Sequence, residues 1–144
     1  MQVYGIGTDI VDIDRIRIIF ERKGERFLKR VYTRPELDYC LARSNPYPCL
    51  AARFAAKEAV FKSLGTGLTG CRWTDVEVVR TGSSAPEIVL AGNALKVAED
   101  RGISSVMISI SHNRGAAVAF ALAVKGGGVD SESCYCTRDE GYRL

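Results

Sequence analysis

Four charged side chains fall close together in one strongly helical stretch, Arg53-Phe-Ala-Ala-Lys-Glu-Ala-Val-Phe-Lys-Ser-Leu-Gly65. Glu58 and Lys62 lie four apart and share a helix face, while Arg53 and Lys57 share another nearby. A carboxylate beside several cations can hold a metal ion and a polyphosphate at once. The plainer alternative is an i,i+4 surface salt bridge, worth only about 0.3–0.5 kcal/mol. Far upstream, Asp9 interrupts an apolar run. Buried carboxylates are rare unless paired or metal-bound, although by itself Asp9 also fits a turn or cap. Far downstream stands the sole histidine, His112, in Ser111-His-Asn-Arg-Gly115. Its imidazole titrates in the range useful for proton transfer.

These residues need elements to hold them. Residues 1–10 read as a strand, with Gly5 and Gly7 marking a bulge or close backbone approach. Asp12 or Asp14 is placed to cap a helix running to about Lys23, and Gly24 breaks it. Thr33-Arg-Pro-Glu36 has the pattern of a capping box opening a second helix, which ends near Arg43. Ser44-Asn-Pro-Tyr-Pro48 reads as a turn, and the charged helix follows, closed by Gly65. Its alanines at 51, 52, 55, 56 and 59 allow another backbone or a ligand close, and Leu50, Phe54, Phe61 and Leu64 face a core. Strands are expected at 75–80 and 87–90, joined as a hairpin, then a helix over 92–101 stopped by Gly102. Two final strands, 106–111 and 116–124, bracket a short turn that puts His112 at a hairpin end. Gly126-Gly-Gly128 and the polar residues to Leu144 read as a mobile tail not required for chemistry, leaving a domain at 1–125.

Composition removes several classes. The chain has 144 residues, enough for one domain with a real core. No apolar run approaches a membrane span, and Asp9, Asp12 and Asp14 interrupt any signal-like N-terminus, so a cytoplasmic protein is expected. Five cysteines in no regular framework and a single His argue against a disulfide scaffold and a zinc site. Net charge is +3, yet Arg15 to Arg34 carries eight basic and two acidic residues, a local +6. A basic patch on an otherwise acidic chain suits a defined acidic partner better than nucleic acid, although a solvated helix face has the same composition.

Three signals stand in order: Gly5-Ile-Gly7-Thr-Asp9-Ile, then Phe54-Ala-Ala-Lys-Glu58-Ala with Lys62 and Gly65, then Ser109-Ile-Ser-His112. Together they resemble the holo-acyl-carrier-protein synthase family, the short single-domain 4′-phosphopantetheinyl transferases, over roughly residues 1–125. The resemblance implies an α+β fold with an antiparallel sheet on a long central helix. It implies transfer of 4′-phosphopantetheine from coenzyme A to a serine of apo acyl carrier protein, releasing adenosine 3′,5′-bisphosphate, in fatty acid biosynthesis. It places Mg²⁺ on Asp9 and Glu58, Lys62 as a catalytic contact to the diphosphate or leaving phosphate, and Gly65 among the coenzyme A-binding residues. Arg53 and His112 fall at the 3′-phosphate end, with Pro86 beside the adenine. Two positions depart from the family pattern: Ser84-Ala-Pro86 where Gly often precedes the Pro, and Asn113 where an acid often follows the His.

The serine nucleophile belongs to the carrier, so this chain needs a general base and no nucleophile of its own. Glu58, directly or through a metal-bound water, comes first and His112 second; sequence does not separate them. Arg15, Arg22, Lys23, Arg26 and Arg30 would receive an acidic carrier helix, with Ile19 and Phe27 as apolar anchors. A longer relative type repeats the unit twice and seats its site between halves, so a single copy implies a homotrimer with sites between subunits. The competing classes are a non-catalytic coenzyme A or nucleotide-binding module, which has no need of paired Asp9 and Glu58, and a basic nucleic-acid adaptor.

Overall fold

In the computed structural model, residues 2–82 and 84–126 are described. Strand β1 spans Gln2–Asp12, two residues beyond the expected end, with a bulge between Val3 and Gly5. Helices α1 (Ile13–Lys23), α2 (Glu25–Val31) and α3 (Arg34–Leu41) follow. Gly24 divides the first two at φ 57°, a left-handed conformation that costs glycine little. Asp12 occupies the N-cap position of α1, but its side chain makes no cap bond. Instead the Ile13 amide donates to the Gly115 carbonyl at 2.9 Å, so the helix start is tied to the distant hairpin turn. The capping box of α3 forms as its residue pattern predicts, with the Thr33 amide donating to Glu36 Oε1 at 2.8 Å.

Helix α4 runs Tyr47–Leu64 and takes in the last two residues of the expected turn. Pro48 is tolerated there because first-turn amides have no intrahelical acceptor. Gly65 ends the helix at φ 83°. Strands β2 (Val76–Val79) and β3 (Glu87–Leu90), helix α5 (Gly92–Asp100), and strands β4 (Ile103–His112) and β5 (Ala116–Lys125) follow among the described residues. All pairing is antiparallel: β1-β5-β4 form one sheet and β2-β3 a separate hairpin. The expected tail falls almost wholly on residues 127–144, outside the described residues.

Helix α4 lies across the three-stranded sheet at close range. Its alanines at 51, 55, 56 and 59 and those of β5 at 117, 119, 121 and 123 are all buried. A Cβ on Gly7 would overlap the Ala59 carbonyl, and one on Gly5 the Ser63 carbonyl. The two glycines therefore set the distance between β1 and α4, and with it the separation of any groups projecting between them.

Lys57 departs from the charged-cluster reading. It is completely buried, and its Nζ meets Glu36 Oε1 at 2.7 Å, the Trp73 carbonyl at 3.2 Å and the Val76 carbonyl. Glu36 Oε2 accepts the Val78 amide at 3.1 Å. The pair locks α3, α4 and β2 together and is not available to a substrate. Burial pulls the Lys57 ammonium below its ordinary range, and the Glu36 carboxylate partly restores it.

Candidate active site

The remaining charged residues of α4 project to two different sides. On one side, Asp9 of β1 stands opposite Ala119, on the strand face turned toward α4. Lys62 Nζ donates to the Thr8 carbonyl at 2.8 Å and lies 3.4 Å from Asp9 Oδ1. Partial burial raises the Glu58 carboxyl, and the nearby Asp9 carboxylate raises it further; Lys62 and Arg15 pull it back. Two carboxylates, from β1 and α4, are thus close enough to repel each other, with Lys62 beside them. The donor set suits Mg²⁺, which takes one or two carboxylates and fills its octahedron with water and phosphate oxygens. Among the described residues no group of three or more His, Cys, Asp or Glu could hold a metal alone, so the other ligands would come from substrate and solvent.

On the other side, a cleft of about 290 Å³ is lined by Tyr39, Arg43, Cys49, Arg53, Pro86 and His112, among others. Arg53 is almost buried on its floor. Its guanidinium lies 4.2 Å from the Tyr39 ring centroid, and its Nη1 donates to Cys49 Sγ at 3.0 Å. Its buried Nε has no hydrogen-bond acceptor among the described residues. Arg43 lies over the same ring at 4.8 Å and donates to the Tyr39 hydroxyl at 2.7 Å. His112 closes β4 in register with Ala117 and is exposed at the rim. Two guanidiniums and an imidazole around a partly apolar cleft have the chemistry to receive a phosphorylated aromatic ligand.

The sequence-predicted residues therefore divide. Asp9, Glu58 and Lys62 come together, and so do Arg53, Pro86 and His112, but the groups line separate surfaces of the chain. Gly65 sits beyond Lys62 at the helix end, beside Arg101, whose guanidinium donates to the Leu64 carbonyl and to the Tyr4 hydroxyl. Tyr39, Arg43 and Cys49 were not anticipated. The signal was present in the i,i+4 pairs Tyr39/Arg43 and Cys49/Arg53, but nothing local told that α3 and α4 would turn these faces toward each other. Of the basic stretch, Arg15, Ile19 and Arg22 line a shallow surface beside Gly115. Lys23, Arg26 and Arg30 are exposed on α1 and α2, whereas Phe27 is half-buried, edge-on to Tyr32 at 6.1 Å.

Residues 5–121 match the family model described as the 4′-phosphopantetheinyl transferase superfamily. The chain is 52% identical over 122 residues to the holo-[acyl-carrier-protein] synthase of Desulforudis audaxviator, covering 85% of this chain and 93% of the relative. It is 46% identical over 125 residues to that of Chlamydia caviae, covering 86% and 99%. Among solved structures, the holo-[acyl-carrier-protein] synthase of Neisseria meningitidis superposes with TM-score 0.80 at 36% identity, covering 86% of this chain and all of that one (100%). The Helicobacter pylori synthase, solved in complex with coenzyme A, gives 0.73 at 31% identity, covering 83% and 99%.

Proposed function

The chain belongs to the 4′-phosphopantetheinyl transferase superfamily, and on that footing we propose that it is a holo-[acyl-carrier-protein] synthase. It transfers 4′-phosphopantetheine from coenzyme A to a serine of apo acyl carrier protein and releases adenosine 3′,5′-bisphosphate. The observation that carries the site assignment is Lys62 of α4 reaching Asp9 of β1 at 3.4 Å, with Glu58 one turn earlier on the same helix face and close enough to Asp9 to feel its charge. A non-catalytic coenzyme A-binding module would need the arginine-lined cleft but would gain nothing from two converging carboxylates.

Asp9 and Glu58 would hold Mg²⁺, which would screen the diphosphate and act as a Lewis acid on its phosphoryl oxygens. Lys62, one turn on from Glu58, moves its ammonium from Asp9 to the leaving phosphate as substrate arrives. Arg53, with Arg43 behind it, receives the 3′-phosphate at the cleft floor; His112 reaches it from the rim, and Pro86 covers the adenine. The Glu58 carboxylate takes the proton from the carrier serine, directly or through a water. His112 is the alternative base. Arg15, Arg22, Lys23, Arg26 and Arg30 steer the acidic carrier, with Ile19 as the more available apolar anchor and Phe27 as its buttress.

The separation of the two residue groups supports an assembly in which one protomer's cleft meets its neighbour's carboxylates. The outer face of the sheet supports it as well. Ile6 and Ile10 of β1 and Val118 and Phe120 of β5 are exposed on one side, opposite α4. Monomers rarely leave so much contiguous apolar surface in water. A homotrimer burying this face completes three sites. No helix among the described residues is long and apolar enough to cross a membrane, and the enzyme works in the cytoplasm, in fatty acid biosynthesis. Residues 1–125 form the catalytic unit.

The test is mass spectrometry of an apo carrier protein incubated with this chain, coenzyme A and Mg²⁺. The carrier gains the phosphopantetheine mass, and Asp9→Ala abolishes the gain. Coenzyme A binding without transfer under Mg²⁺ would instead identify the binding module.

A further inference from the structure

The floor of the cleft contains two thiols for which the transfer reaction has no use. Cys49 is the third residue of α4 and lines the cleft. Cys40, near the C-terminal end of α3, is completely buried and lies close enough to Cys49 for the two thiols to interact. The surroundings of the two sulfurs differ. Cys49 receives the Arg53 Nη1–H bond at 3.0 Å, with the Arg43 guanidinium also facing it. It sits in the first turn of an 18-residue helix, where the macrodipole favours an anion. Interaction with Cys40 and then the two guanidiniums draw Cys49 below the ordinary thiol range, against burial. Interaction with Cys49, together with burial, pushes the Cys40 thiol up. The other titratable groups facing the pair are Tyr32, whose hydroxyl donates to the Leu50 carbonyl at 2.8 Å, and Glu36, which is bound to Lys57. A thiol that lines a cleft and accepts a hydrogen bond from an arginine, with a second, buried thiol beside it, is the arrangement of an attacking and a resolving cysteine.

We propose that Cys49 and Cys40 form an oxidisable dithiol in which Cys49 reacts with peroxide and Cys40 resolves it, closing a disulfide beneath the cleft. The Cys49 thiolate attacks one oxygen of hydrogen peroxide and the O–O bond breaks. The departing hydroxide takes up a proton to leave as water, and Cys49 becomes a sulfenic acid, oxidised by two electrons. The Cys40 sulfur then attacks the Cys49 sulfur, the S–O bond breaks, and the hydroxyl leaves as water with the Cys40 proton. The disulfide removes the acceptor of Arg53 and joins the end of α3 to the start of α4. The inference stands on these side chains and holds whether or not the transferase reading does.

The experiment uses the full chain, reduced, freed of reductant and treated with hydrogen peroxide at neutral pH. It is then alkylated, digested with trypsin and mapped by mass spectrometry. Arg43 lies between the two cysteines, so cleavage there leaves them on separate peptides. The expected product is a Cys40–Cys49 crosslinked pair that dithiothreitol reverses. Cys40→Ser should instead accumulate a Cys49 sulfenic acid trapped by dimedone, and Cys49→Ser should leave Cys40 free for alkylation after unfolding. Without peroxide, iodoacetamide at neutral pH should label native Cys49 about tenfold faster than Cys71, whose thiol burial and Asp75 push up. Failure of the wild-type chain to crosslink, or equal labelling of Cys49 and Cys71, overturns the proposal. Circular dichroism checks that each variant is folded; if one is not, the wild-type crosslink and the labelling ratio decide.

Discussion

Lys62 Nζ stands 3.4 Å from Asp9 Oδ1 and 2.8 Å from the Thr8 carbonyl, bridging a span of 53 residues in sequence. Its ammonium neutralises a carboxylate proposed as a Mg²⁺ ligand, so cation and ion compete for the same oxygen. Removing a unit charge about 4 Å away in water is worth about 1 kcal/mol, roughly fivefold in affinity. Lys62→Ala should therefore tighten Mg²⁺ binding to the free enzyme several-fold while lowering kcat. Calorimetric titration with Mg²⁺ reads the first effect; weaker binding in the variant would show that Lys62 does not oppose the ion.

Glu58 should oppose folding and support catalysis. Its folded pKa lies above the unfolded value, because partial burial and Asp9 disfavour the ionised form. The resulting destabilisation is complete above the raised pKa and fades as pH falls through it, where the folded chain takes up the proton first. Without Mg²⁺, Glu58→Gln should be more stable than wild type at neutral pH, by no more than about 1 kcal/mol for so exposed a group. That advantage should shrink toward pH 4–5, near the ordinary carboxyl range. Transfer should drop by about 10²–10⁴-fold. Melting curves across pH decide: an advantage that grows on acidification contradicts the assignment.

Lys57 is next to Glu58 in sequence but structural in role. Lys57→Met leaves Glu36 charged and buried without its partner, and such losses cost about 3–5 kcal/mol. Urea unfolding should show that deficit, whereas the variant's affinity for coenzyme A, measured well below its melting temperature, should stay near wild type. A large loss of affinity in a still-folded protein would return Lys57 to the site.

Sharing of sites between subunits has a direct assay. Glu58→Ala and His112→Ala should each be nearly inactive alone. Co-refolded, they should recover a fraction of wild-type transfer, because some interfaces pair the intact carboxylates of one chain with the intact cleft of the other. No recovery in verified mixed oligomers would place the whole site within one protomer.

Much of this was legible in the chain because it depends on neighbours in sequence. The Thr33–Glu36 box, the stop at Gly65, the glycine break at residue 24 and the hairpin ending at His112 are short-range chemistry, and all four are present. Gly5 and Gly7 announced a close approach because few other reasons place two glycines in a strand. The motif residues also identified the family.

What the sequence could not settle is which way each charge on α4 points and what meets it there. Helical periodicity put Glu58 with Lys62 and Lys57 with Arg53, yet Lys57 is sealed against Glu36 while Glu58 lies near Asp9, because α3 packs on one side of α4 and β1 on the other. The same packing brought Cys40 to Cys49 and Tyr39 over Arg53. Local pattern fixes a residue's place on its own element; only the contact of that element with others, at the distance the glycines and alanines permit, decides whether a charge becomes a ligand or a structural tie.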